Sequence, residues 1–457
     1  MNIIGISAYH HDSAAAYIKD RYIHSASHEE RFSRVKYDNR FPERTLRWMR
    51  QQQEPVDTVV FYEHRNFKDR QSIKRDIKKS LPGKYTIEFV EHHDSHAMSA
   101  ILTTDWEECA VMVVDSVGGK YATSLGIYKD RKITWLKRFE YPNSLGLFYS
   151  TITRFLGFTP LMDEEKVMSA AAYGDSKWVS YAKEKLIRTE FGNYDILEDL
   201  RRGIGTGPLD WDIAASAQSI LQECLLNLAA WLQKETGLYK LAYSGGVALN
   251  CVANTHLSQF SNFNDIAIQP AAGDAGCALG AAALIERPLW EGPFLGYEDS
   301  LYQNPEEIAF KILQNEIVPV INGRAEFGPR ALGNRSLLCL PTEVNISKLN
   351  NIKKRVNDNW RPYAPICLDS VAEDFFNIYQ PSYDMLFIAY TETDKFKTHD
   401  DTARLQLVNN KSNSFLTNIL QHTTSKGEPI LINTSLNAKG KPIVNSVEDF
   451  RNEVKLF

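Results

Sequence analysis

The chain has 457 residues, 43% of them hydrophobic and 24% charged, and its formal net charge is −5. This composition is typical of a globular protein with two or three domains, and the charge argues against strong non-specific binding of nucleic acid. No apolar run reaches the roughly 18 residues of a membrane-spanning helix, and the first residues, MNIIGISAYHHDS, do not form a signal-peptide pattern. We therefore expect a cytoplasmic protein with no membrane partner.

Six cysteines are spread along the chain without a CxxC pair. Several stand in apolar contexts, such as ECAVMVV and GCALGAAAL. This pattern predicts reduced, buried cysteines rather than disulfides or a zinc site.

Short apolar runs separated by tight turns open the chain. NIIGIS, AAAYI and YIHSA predict three antiparallel strands joined by hairpins, followed by a helix over 42–52 and a strand over 58–62. A similar series begins at CAVMVVD (109–115) and continues with SLGIYKD and KITWLKRFE. The recurrence predicts a duplicated lobe, about 1–108 and 109–300, with a ligand cleft between the two copies.

The later part of the chain changes in character. A long amphipathic helix is predicted over 214–235, followed by strand–turn–helix units around YSGGVALN and AAGDAGCALGAAALIE. The stretch 287–304 is rich in Pro, Gly and Tyr and is interpreted as a linker. Residues 305–457, rich in Asn and Lys with spaced arginines, are predicted to form a second domain.

Three of the chain's 11 histidines fall within EHHDSHA (91–97). On a helix, His92 and His96 would lie one turn apart on the same face, close enough to share an ion. Asp115 in VVDSVGG and Asp274 in AAGDAG could add carboxylate ligands for a transition metal such as Fe²⁺ or Mn²⁺. The alternatives are histidines that only cap or pack a helix and an N-capping role for Asp274.

Two further patterns suit anions. The Gly-Gly turn of YSGGVALN (243–250) could present backbone N–H groups to a phosphate, or could be a plain turn. In the second domain, arginines recur in loops beside Gly, Pro and aromatic residues, which favours bidentate binding of phosphate or carboxylate over surface salt bridges. These arginines, with two polar residues of the INTSLN segment, are Arg324, Arg330, Arg335, Arg361, Arg404, Asn433 and Ser435.

Together the motifs resemble the O-carbamoyltransferase family, which includes the nodulation-factor, cephamycin and tobramycin carbamoyltransferases. The motifs that carry the resemblance, in the expected order, are EERFSRVKYDNRFP, HHDSHA, VVDSVGG, EEKVMSAAAYG, DIAASAQ, YSGGVALN, GDAGCALGAA, GRAEFGPRALGNRS, WRPYAP, TARLQ and NTSLNAKGKPIV. The resemblance implies an α/β and α+β protein. A duplicated actin-like (ASKHA, RNase H-like) domain would span 1–300, and a YrdC-like domain would span 305–457. The chain is shorter than most relatives and ends soon after PIVNSVEDF, so we expect a trimmed edge of the second domain.

The implied activity has two steps. The C-terminal site would form carbamoyl-adenylate from ATP, with Mg²⁺ as its companion ion, and carbamoyl phosphate. The N-terminal site would transfer the carbamoyl group to an acceptor hydroxyl, with a divalent metal, Fe²⁺ or alternatively Mn²⁺, on His92, His96, Asp115 and Asp274. His93, between these ligands, would either support them from outside the ligand set or serve a structural role.

The acceptor is less constrained than the reaction. The Lys-, Asn-, Ile- and Tyr-rich composition points to a phage or low-GC bacterial source, which makes 5-hydroxymethylcytosine in DNA or a nucleotide one acceptor. A sugar or antibiotic is the alternative. An actin-like sugar kinase and a non-catalytic ATP-binding regulator are the alternatives from other classes of protein.

The resemblance also assigns roles to single residues. His11 in AYHHDS would be the general base that takes the proton of the acceptor hydroxyl. The acceptor would contact Tyr9, Asp12 and Asp212. The nucleotide or adenylate would lie near Lys36, Asp115, Glu165, Lys166, Gly245, Gly246 and Asn250. The arginines, Asn433 and Ser435 named above would bind carbamoyl phosphate and ATP.

Overall fold

The computed structural model describes residues 1–51, 55–63, 68–201, 205–301, 304–353, 360–394 and 396–454. Contacts within the chain divide it into two compact units. The first unit consists of Met1–Glu29 and Tyr37–Glu291, and the second of Glu30–Lys36 and Gly292–Phe457. The segment Glu30–Lys36 therefore belongs to the second unit, although its position in the sequence assigned it to the N-terminal domain.

The first lobe of the first unit is built on a five-stranded sheet. Its strands are β1 (Asn2–Ser7), β2 (Ala14–Lys19), β3 (Tyr22–His28), β4 (Thr58–Glu63) and β5 (Thr86–Glu91). The strand order is β3-β2-β1-β4-β5, in which β1, β2 and β3 pair antiparallel while β1, β4 and β5 pair parallel. The helices of this lobe are α2 (Glu43–Arg50), α3 (Arg70–Ser80) and α4 (His92–Ile101). Helix α1 (Glu29–Ser33) precedes them in the chain and, from Glu30 onward, belongs to the second unit.

The second lobe repeats this arrangement. Its strands are β6 (Glu108–Gly118), β7 (Tyr121–Lys129), β8 (Lys132–Glu140), the separate hairpin β9 (Ile187–Glu190) and β10 (Asn193–Ile196), β11 (Lys240–Ser244) and β12 (Asp265–Ile268). The sheet order is β12-β11-β6-β7-β8, with β6, β7 and β8 antiparallel and β6, β11 and β12 parallel. The order and direction of these strands match those of the first sheet.

The helices of the second lobe include the long amphipathic one that the sequence predicts over 214–235. They are α5 (Leu145–Phe155), α6 (Glu164–Ala170), α7 (Val179–Lys185), α8 (Glu198–Arg201), α9 (Trp211–Thr236), α10 (Cys251–Phe260) and α11 (Asp274–Ile285). Small residues allow α11 to pack closely against both α4 and β1. A Cβ on Gly280 would lie 1.9 Å from the backbone oxygen of Ser95, and one on Gly5 would lie 1.8 Å from that of Ala278. This close packing brings the start of α11 to the end of the first sheet.

The second unit has its own mixed sheet and core. Its strands are β13 (Phe294–Glu298), β14 (Val318–Ile321), β15 (Arg324–Glu326), β16 (Arg335–Cys339), β17 (Ala364–Leu368), β18 (Ala389–Tyr390), β19 (Thr402–Ala403), β20 (Gln406–Val408) and β21 (Ile430–Ser435). The helices are α12 (Pro305–Leu313), α13 (Glu343–Ile352), α14 (Asn410–Thr424) and α15 (Val447–Glu453). The main sheet has the order β14-β16-β21-β17-β20. Leu338, Leu420 and Leu431 are fully buried in the core between this sheet and its helices.

Three expectations from the sequence can be compared with this fold. The linker predicted over 287–304 is wrong in part, because β13 lies within it and pairs with β15. The six cysteines are buried and free, as predicted. Among the helices that the structure describes, none combines the length and the apolar character needed to cross a membrane.

Candidate functional site

The site of the first unit lies at the carboxyl ends of its parallel strands. Parallel strands end at the same edge of a sheet, so the residues that follow them gather there. In the first sheet β1, β4 and β5 are parallel, and in the second β6, β11 and β12 are parallel. The residues of the site that lie at or near these ends are His10, His11, Tyr62, His92, Asp115, Gly246 and Asp274.

Two histidines and two aspartates meet in a buried cluster. His92 Nε2 lies 3.4 Å from Asp115 Oδ2 and 3.6 Å from Asp274 Oδ1. His96 Nε2 lies 3.8 Å from Asp115 Oδ2 and 3.4 Å from Asp274 Oδ1. The side chains are at most 2% exposed. The structure thus brings together the four residues that the resemblance assigned to a metal.

The spacing of these atoms fits a shared cation better than hydrogen bonds. At separations of 3.4–3.8 Å, none of these His–Asp pairs has the geometry of a hydrogen bond. Ligands on one transition metal, with bonds of about 2.1 Å, stand between about 3.0 Å apart when adjacent and about 4.2 Å apart when opposite, a range that includes all four separations. Among the residues that the structure describes, His96 Nε2, Asp115 Oδ2 and Asp274 Oδ1 are buried without a hydrogen-bond partner. A divalent cation would satisfy all three atoms at once.

The outer oxygen of each carboxylate is held by the protein. Asp115 Oδ1 accepts a hydrogen bond of 3.3 Å from the Gly246 backbone N–H. Asp274 Oδ2 accepts one of 2.9 Å from His10 Nδ1 and one of 3.4 Å from the Tyr62 hydroxyl. Asp274 does not cap α11, because the N-cap position is Gly273 and no side chain caps that end. The N-cap alternative for Asp274 is therefore excluded.

The charges of the cluster are consistent with ionised carboxylates. Burial alone would raise the pKa of Asp115, but the imidazoles of His92 and His96 lower it below its usual range. Burial alone would also raise the pKa of Asp274, but the charges of His11 and His92 hold that pKa well below its usual value. Two anionic oxygens thus face two imidazole nitrogens in a water-poor pocket.

His11 stands next to this cluster and is paired with its neighbour. Its Nδ1 lies 3.0 Å from Asp12 Oδ2. Burial lowers the pKa of His11, but the negative charges of Asp274 and Asp12 outweigh it and raise the pKa to about 10. The protonated imidazole is therefore strongly favoured while no cation balances the carboxylates.

Tyr9 lines a cavity beside the His11 loop. The cavity has a volume of about 420 Å³ and is lined by Tyr9, Asn39, Arg40, Phe41, Glu43, Lys68 and Asp76. The Tyr9 hydroxyl donates to Asp76, and Lys68 lies over the Tyr9 ring. The loop is fastened at both ends, since Tyr9 N–H donates to the Asn39 carbonyl and Ser13 N–H to the Asp38 carbonyl, both at 2.9 Å.

Of the two alternatives for the Gly-Gly turn, the local contacts fit the tight turn. Gly245 has φ of 96°, and a Cβ there would lie 2.2 Å from the Val114 carbonyl oxygen, so only glycine fits this approach. The N–H of Gly246 faces Asp115 rather than standing open to a phosphate. Asn250 caps α10 through Ala253 N–H and exchanges hydrogen bonds with Gln218. These contacts give Asn250 a structural role.

The remaining residues predicted near the acceptor or nucleotide are spread over both units. Glu165 and Lys166 lie on α6, where Lys166 Nζ is 2.9 Å from Asp163 Oδ1. Asp212 is paired with Lys177 Nζ at 2.8 Å and accepts from the Asp175 N–H. Lys36 is exposed and belongs to the second unit.

In the second unit, the prediction that Arg335 binds an anion is wrong. Arg335 is fully buried, and its guanidinium donates to five backbone carbonyl oxygens. No donor remains for a phosphate, because a guanidinium has five N–H groups. Nearby, Glu326 Oε1 accepts from the N–H groups of Leu332, Asn334 and Arg335. Both side chains therefore hold the GPRALGNR loop in shape.

Arg330, in the same loop, differs from Arg335. It is half-buried, and its Nε is enclosed without a hydrogen-bond partner within the described ranges. Asn433 donates to the Ala331 carbonyl at 2.9 Å and to Gln406 Oε1 at 2.7 Å. Its Oδ1 is buried and finds no partner in the part of the chain that the structure covers. Arg330 and Asn433 thus retain unused donor and acceptor groups.

Other predicted residues of the second unit take part in local contacts. Arg324 donates to the Leu295 carbonyl at 2.6 Å. Ser435 donates to Asn437 Oδ1 at 2.6 Å, and Lys353 donates to the Ser435 carbonyl. Lys353 was not selected from the sequence. Arg361 and Arg404 lie in the loops before β17 and β20.

Sequence reasoning missed several residues around the buried cluster of two histidines and two aspartates. His10 and Tyr62 contact Asp274. The two adjacent histidines of AYHHDS could have drawn attention to His10, whereas Tyr62 carries no such signal in the sequence. Cys277, one turn after Asp274, has its Sγ within 4.8 Å of the ligand atoms of His92, His96 and Asp274. Burial raises the pKa of this thiol well above its usual value, which disfavours a thiolate in the metal-free protein.

Comparison with protein families identifies the class of this protein. Residues 2–84 and 75–283 match the carbamoyltransferase N-terminus, and residues 309–455 match the carbamoyltransferase C-terminus. The chain belongs to the O-carbamoyltransferase family and is a transferase. The resemblance that the motifs carry is confirmed.

Individual relatives agree with this assignment. The chain is 31% identical to an uncharacterized protein of Synechocystis, covering 98% of this chain and 93% of that protein. It is 31% identical to nodulation protein NolNO of Sinorhizobium fredii, covering 96% and 76%. It is 28% identical to the 3'-hydroxymethylcephem-O-carbamoyltransferase of Amycolatopsis lactamdurans, covering 68% and 65%. Among solved structures, component A of the Acidaminococcus fermentans (R)-2-hydroxyglutaryl-CoA dehydratase aligns at 13% identity over 63% of this chain and 98% of that chain, with a TM-score of 0.39 too low to support an argument.

Proposed function

We propose that this protein is an ATP-dependent O-carbamoyltransferase that works through carbamoyl-adenylate. In the second unit, to which we assign a YrdC-like fold, water cleaves carbamoyl phosphate to carbamate and phosphate. A carbamate oxygen then attacks the α-phosphorus of ATP, and pyrophosphate leaves. In the first unit, to which we assign an actin-like fold, an acceptor hydroxyl attacks the carbamoyl carbon and AMP leaves.

The buried cluster of two imidazoles and two carboxylates beside His11 carries this proposal. We assign one divalent cation, Fe²⁺ or Mn²⁺, to His92, His96, Asp115 and Asp274. When bound, such a cation supplies positive charge that offsets a phosphate of the adenylate and neutralises the two aspartates. The orphaned atoms of the cluster support a cation, and the mixed nitrogen and oxygen ligands suit these metals.

His11 is assigned as the general base. The Asp12 carboxylate can only accept, so His11 donates from Nδ1 and keeps Nε2 for the proton of the acceptor hydroxyl. The same carboxylate stabilises the imidazolium that forms. The leaving group is AMP, which departs as a stable phosphate anion. The transfer step therefore needs no general acid to protonate the leaving group.

The contacts of Arg330 and Asn433 support the adenylate-forming step. The planar guanidinium of Arg330 can donate two parallel hydrogen bonds to a phosphate. Asn433 Oδ1, buried and without a partner in the described part of the unit, offers an acceptor for the carbamoyl amino group. We place Arg324, Arg361, Arg404 and Ser435 in the same site, with Mg²⁺ as the companion of ATP.

The cavity beside Tyr9 is proposed to hold the acceptor. Its volume of about 420 Å³ suits one nucleoside or one sugar ring. Tyr9 and Phe41, with ring centroids 6.0 Å apart, supply aromatic surface, and charged side chains supply hydrogen bonds. We propose 5-hydroxymethylcytosine, in a nucleotide or flipped out of DNA, as the first acceptor to test, with a sugar or an antibiotic as the alternative.

The test supplies the purified protein with ATP, carbamoyl phosphate and Fe²⁺ or Mn²⁺. One arm adds single-stranded DNA containing 5-hydroxymethylcytosine, a second adds 5-hydroxymethyl-dCMP, and a third adds an aminoglycoside. Mass spectrometry of the acceptor reports the gain of one carbamoyl group, and chromatography reports AMP and pyrophosphate. A product in only one arm identifies the acceptor class.

Other outcomes decide against the proposal. ADP formed without a need for carbamoyl phosphate would indicate a sugar kinase. ATP binding without carbamoyl-phosphate-dependent release of pyrophosphate would indicate a non-catalytic regulator. Pyrophosphate release with no carbamoylated acceptor in any arm would leave the first step in place and reject these acceptors.

A further inference from the structure

His10 contacts the metal cluster from the side opposite the proposed cation. Its Nδ1 lies 2.9 Å from Asp274 Oδ2, and the two side chains are 9% and 0% exposed. The other oxygen of that carboxylate, Oδ1, faces His92 and His96. The Tyr62 hydroxyl adds a second, longer contact of 3.4 Å to Oδ2.

This arrangement limits how Asp274 can bind a cation. A carboxylate coordinates a metal through one oxygen or through both. Because Oδ2 accepts from His10 and Tyr62, only Oδ1 is directed at the histidines. Asp115 is arranged in the same way, since Gly246 N–H occupies its Oδ1 while its Oδ2 faces His92. His92, His96, Asp115 and Asp274 would thus each offer one donor atom to the cation.

His10 also connects this carboxylate to the loop of the proposed base. It precedes His11, and the two rings lie 4.5 Å apart between centroids. The residues on either side of the pair, Tyr9 and Asp12, have φ of 76° and 53°, in the left-handed region that non-glycine residues rarely adopt. The loop is therefore held in a particular conformation, and the bond from His10 to Asp274 is one of its fixed points.

We propose that His10 is a positioning residue that donates from Nδ1 to Asp274, keeps that carboxylate bound through one oxygen, and ties the His11 loop to the metal centre. The inference rests on the metal centre proposed above. A hydrogen bond to the free oxygen of a ligand orients it, and losing such a bond weakens metal binding by about 10- to 100-fold.

Titration of the metal-free, full-length protein with Co²⁺ tests this role. The visible absorption of bound Co²⁺ depends on its coordination number and geometry, so it reports on ligand arrangement without any assay of activity. We expect one Co²⁺ per chain in the unsubstituted protein. His10→Leu, which removes the donor, should change the absorption spectrum and weaken Co²⁺ binding by about 10- to 100-fold.

Two amide variants are the controls. His10→Asn places its amide N–H near the position of Nδ1, so it should restore the spectrum and much of the affinity. His10→Gln places its amide near the position of Nε2, so it should behave as His10→Leu does while keeping a polar side chain. Circular dichroism establishes whether each variant is folded. If His10→Leu does not fold, His10→Gln serves as the variant that lacks the donor.

The outcomes separate this inference from the proposed function. If the unsubstituted protein binds no Co²⁺, the metal centre and the role of His10 both fail. If the donor-removing variants match the unsubstituted protein in spectrum and affinity, His10 has no positioning role although the metal centre stands. Two Co²⁺ per chain, with one lost in both His10→Leu and His10→Asn, would make His10 a ligand of a second ion with His11 and Asp274, which would overturn the proposal.

Discussion

Asp274 Oδ1 and His96 Nε2 lie 3.4 Å apart in side chains that are completely buried. Neither atom has a hydrogen-bond partner among the residues that the structure describes. An unsatisfied buried polar atom costs about 1–3 kcal/mol, and more when it is charged. Such a pair supports the proposal that another group, a divalent cation, binds between its members.

Asp274→Asn should lose the metal. The change keeps the size of the side chain but removes an anionic ligand, so metal affinity should fall by at least about 100-fold. Metal per chain, measured by plasma mass spectrometry after dialysis, checks this. Asp94→Asn is the control, because Asp94 lies on α4 with the histidines but accepts from Trp135 Nε1 outside the cluster. Equal metal content in both variants would contradict the assignment.

Arg330→Ala should abolish the first half of the reaction. Removing a guanidinium from a phosphate should reduce carbamoyl-phosphate-dependent pyrophosphate release by about 100-fold or more. The exposed Arg451 of α15 supplies the control variant Arg451→Ala, which should keep the full rate. An unchanged rate in Arg330→Ala would remove this arginine from the site.

Arg335→Ala should instead damage the fold. Five backbone carbonyl oxygens would lose their donor in a buried environment, so the free energy of unfolding should fall by about 3 kcal/mol or more. Burial already lowers the pKa of this guanidinium to about 10, which reflects how thoroughly it is removed from water. Denaturant unfolding measures the loss. If Arg335→Ala keeps its full free energy of unfolding but loses pyrophosphate release, Arg335 belongs to the anion site after all.

His11→Ala should separate the two steps. Without the base, carbamoyl transfer to the acceptor should slow by about 100- to 10,000-fold, because general-base catalysis contributes that much. Pyrophosphate release should continue, since its proposed residues lie in the second unit. His256→Ala, on α10 of the first unit, is the matched histidine control. If His11→Ala stops pyrophosphate release as well, the division of labour between the units is wrong.

Asp384 should make the second unit less stable as pH rises. Burial raises the pKa of this carboxyl to about 6 from its usual 3.8, so the folded chain favours the protonated form. The stability it contributes is complete below the usual pKa and is lost as pH rises through about 6. Melting temperatures between about pH 4 and about pH 7 should therefore fall more in the unsubstituted protein than in Asp384→Asn. Parallel curves for the two proteins would contradict the raised pKa.

Much of the candidate site could be predicted because local spacing places its residues. His92 and His96 are four residues apart, and a helix that begins at His92 puts both rings on one face. Asp115 lies in β6 directly after its apolar run, and the carboxyl ends of parallel strands gather such residues at one edge. The duplicated lobe was predictable for the same reason, since alternation of apolar runs and turns repeats along the chain.

The two arginines of the GPRALGNR loop show where sequence reasoning stops. Arg330 and Arg335 stand in similar contexts of glycine and small residues. The N–H groups of Arg335 all donate to backbone carbonyl oxygens, several of them from distant segments, such as those of Tyr297 and Asn445. No local pattern predicts which side chain those carbonyls will surround, because they converge only when the unit is folded.

The sequence by itself determined the family, the repeated strand pattern and the types of residue available for metal and anion chemistry. These follow from local periodicity and from motifs that are short and contiguous. Only the tertiary structure decided that His10 holds the far oxygen of Asp274, that Arg335 supports the loop, and that Glu30–Lys36 belongs to the second unit. Each of these depends on contacts between residues far apart in the chain, whose geometry is set by packing rather than by spacing along the backbone.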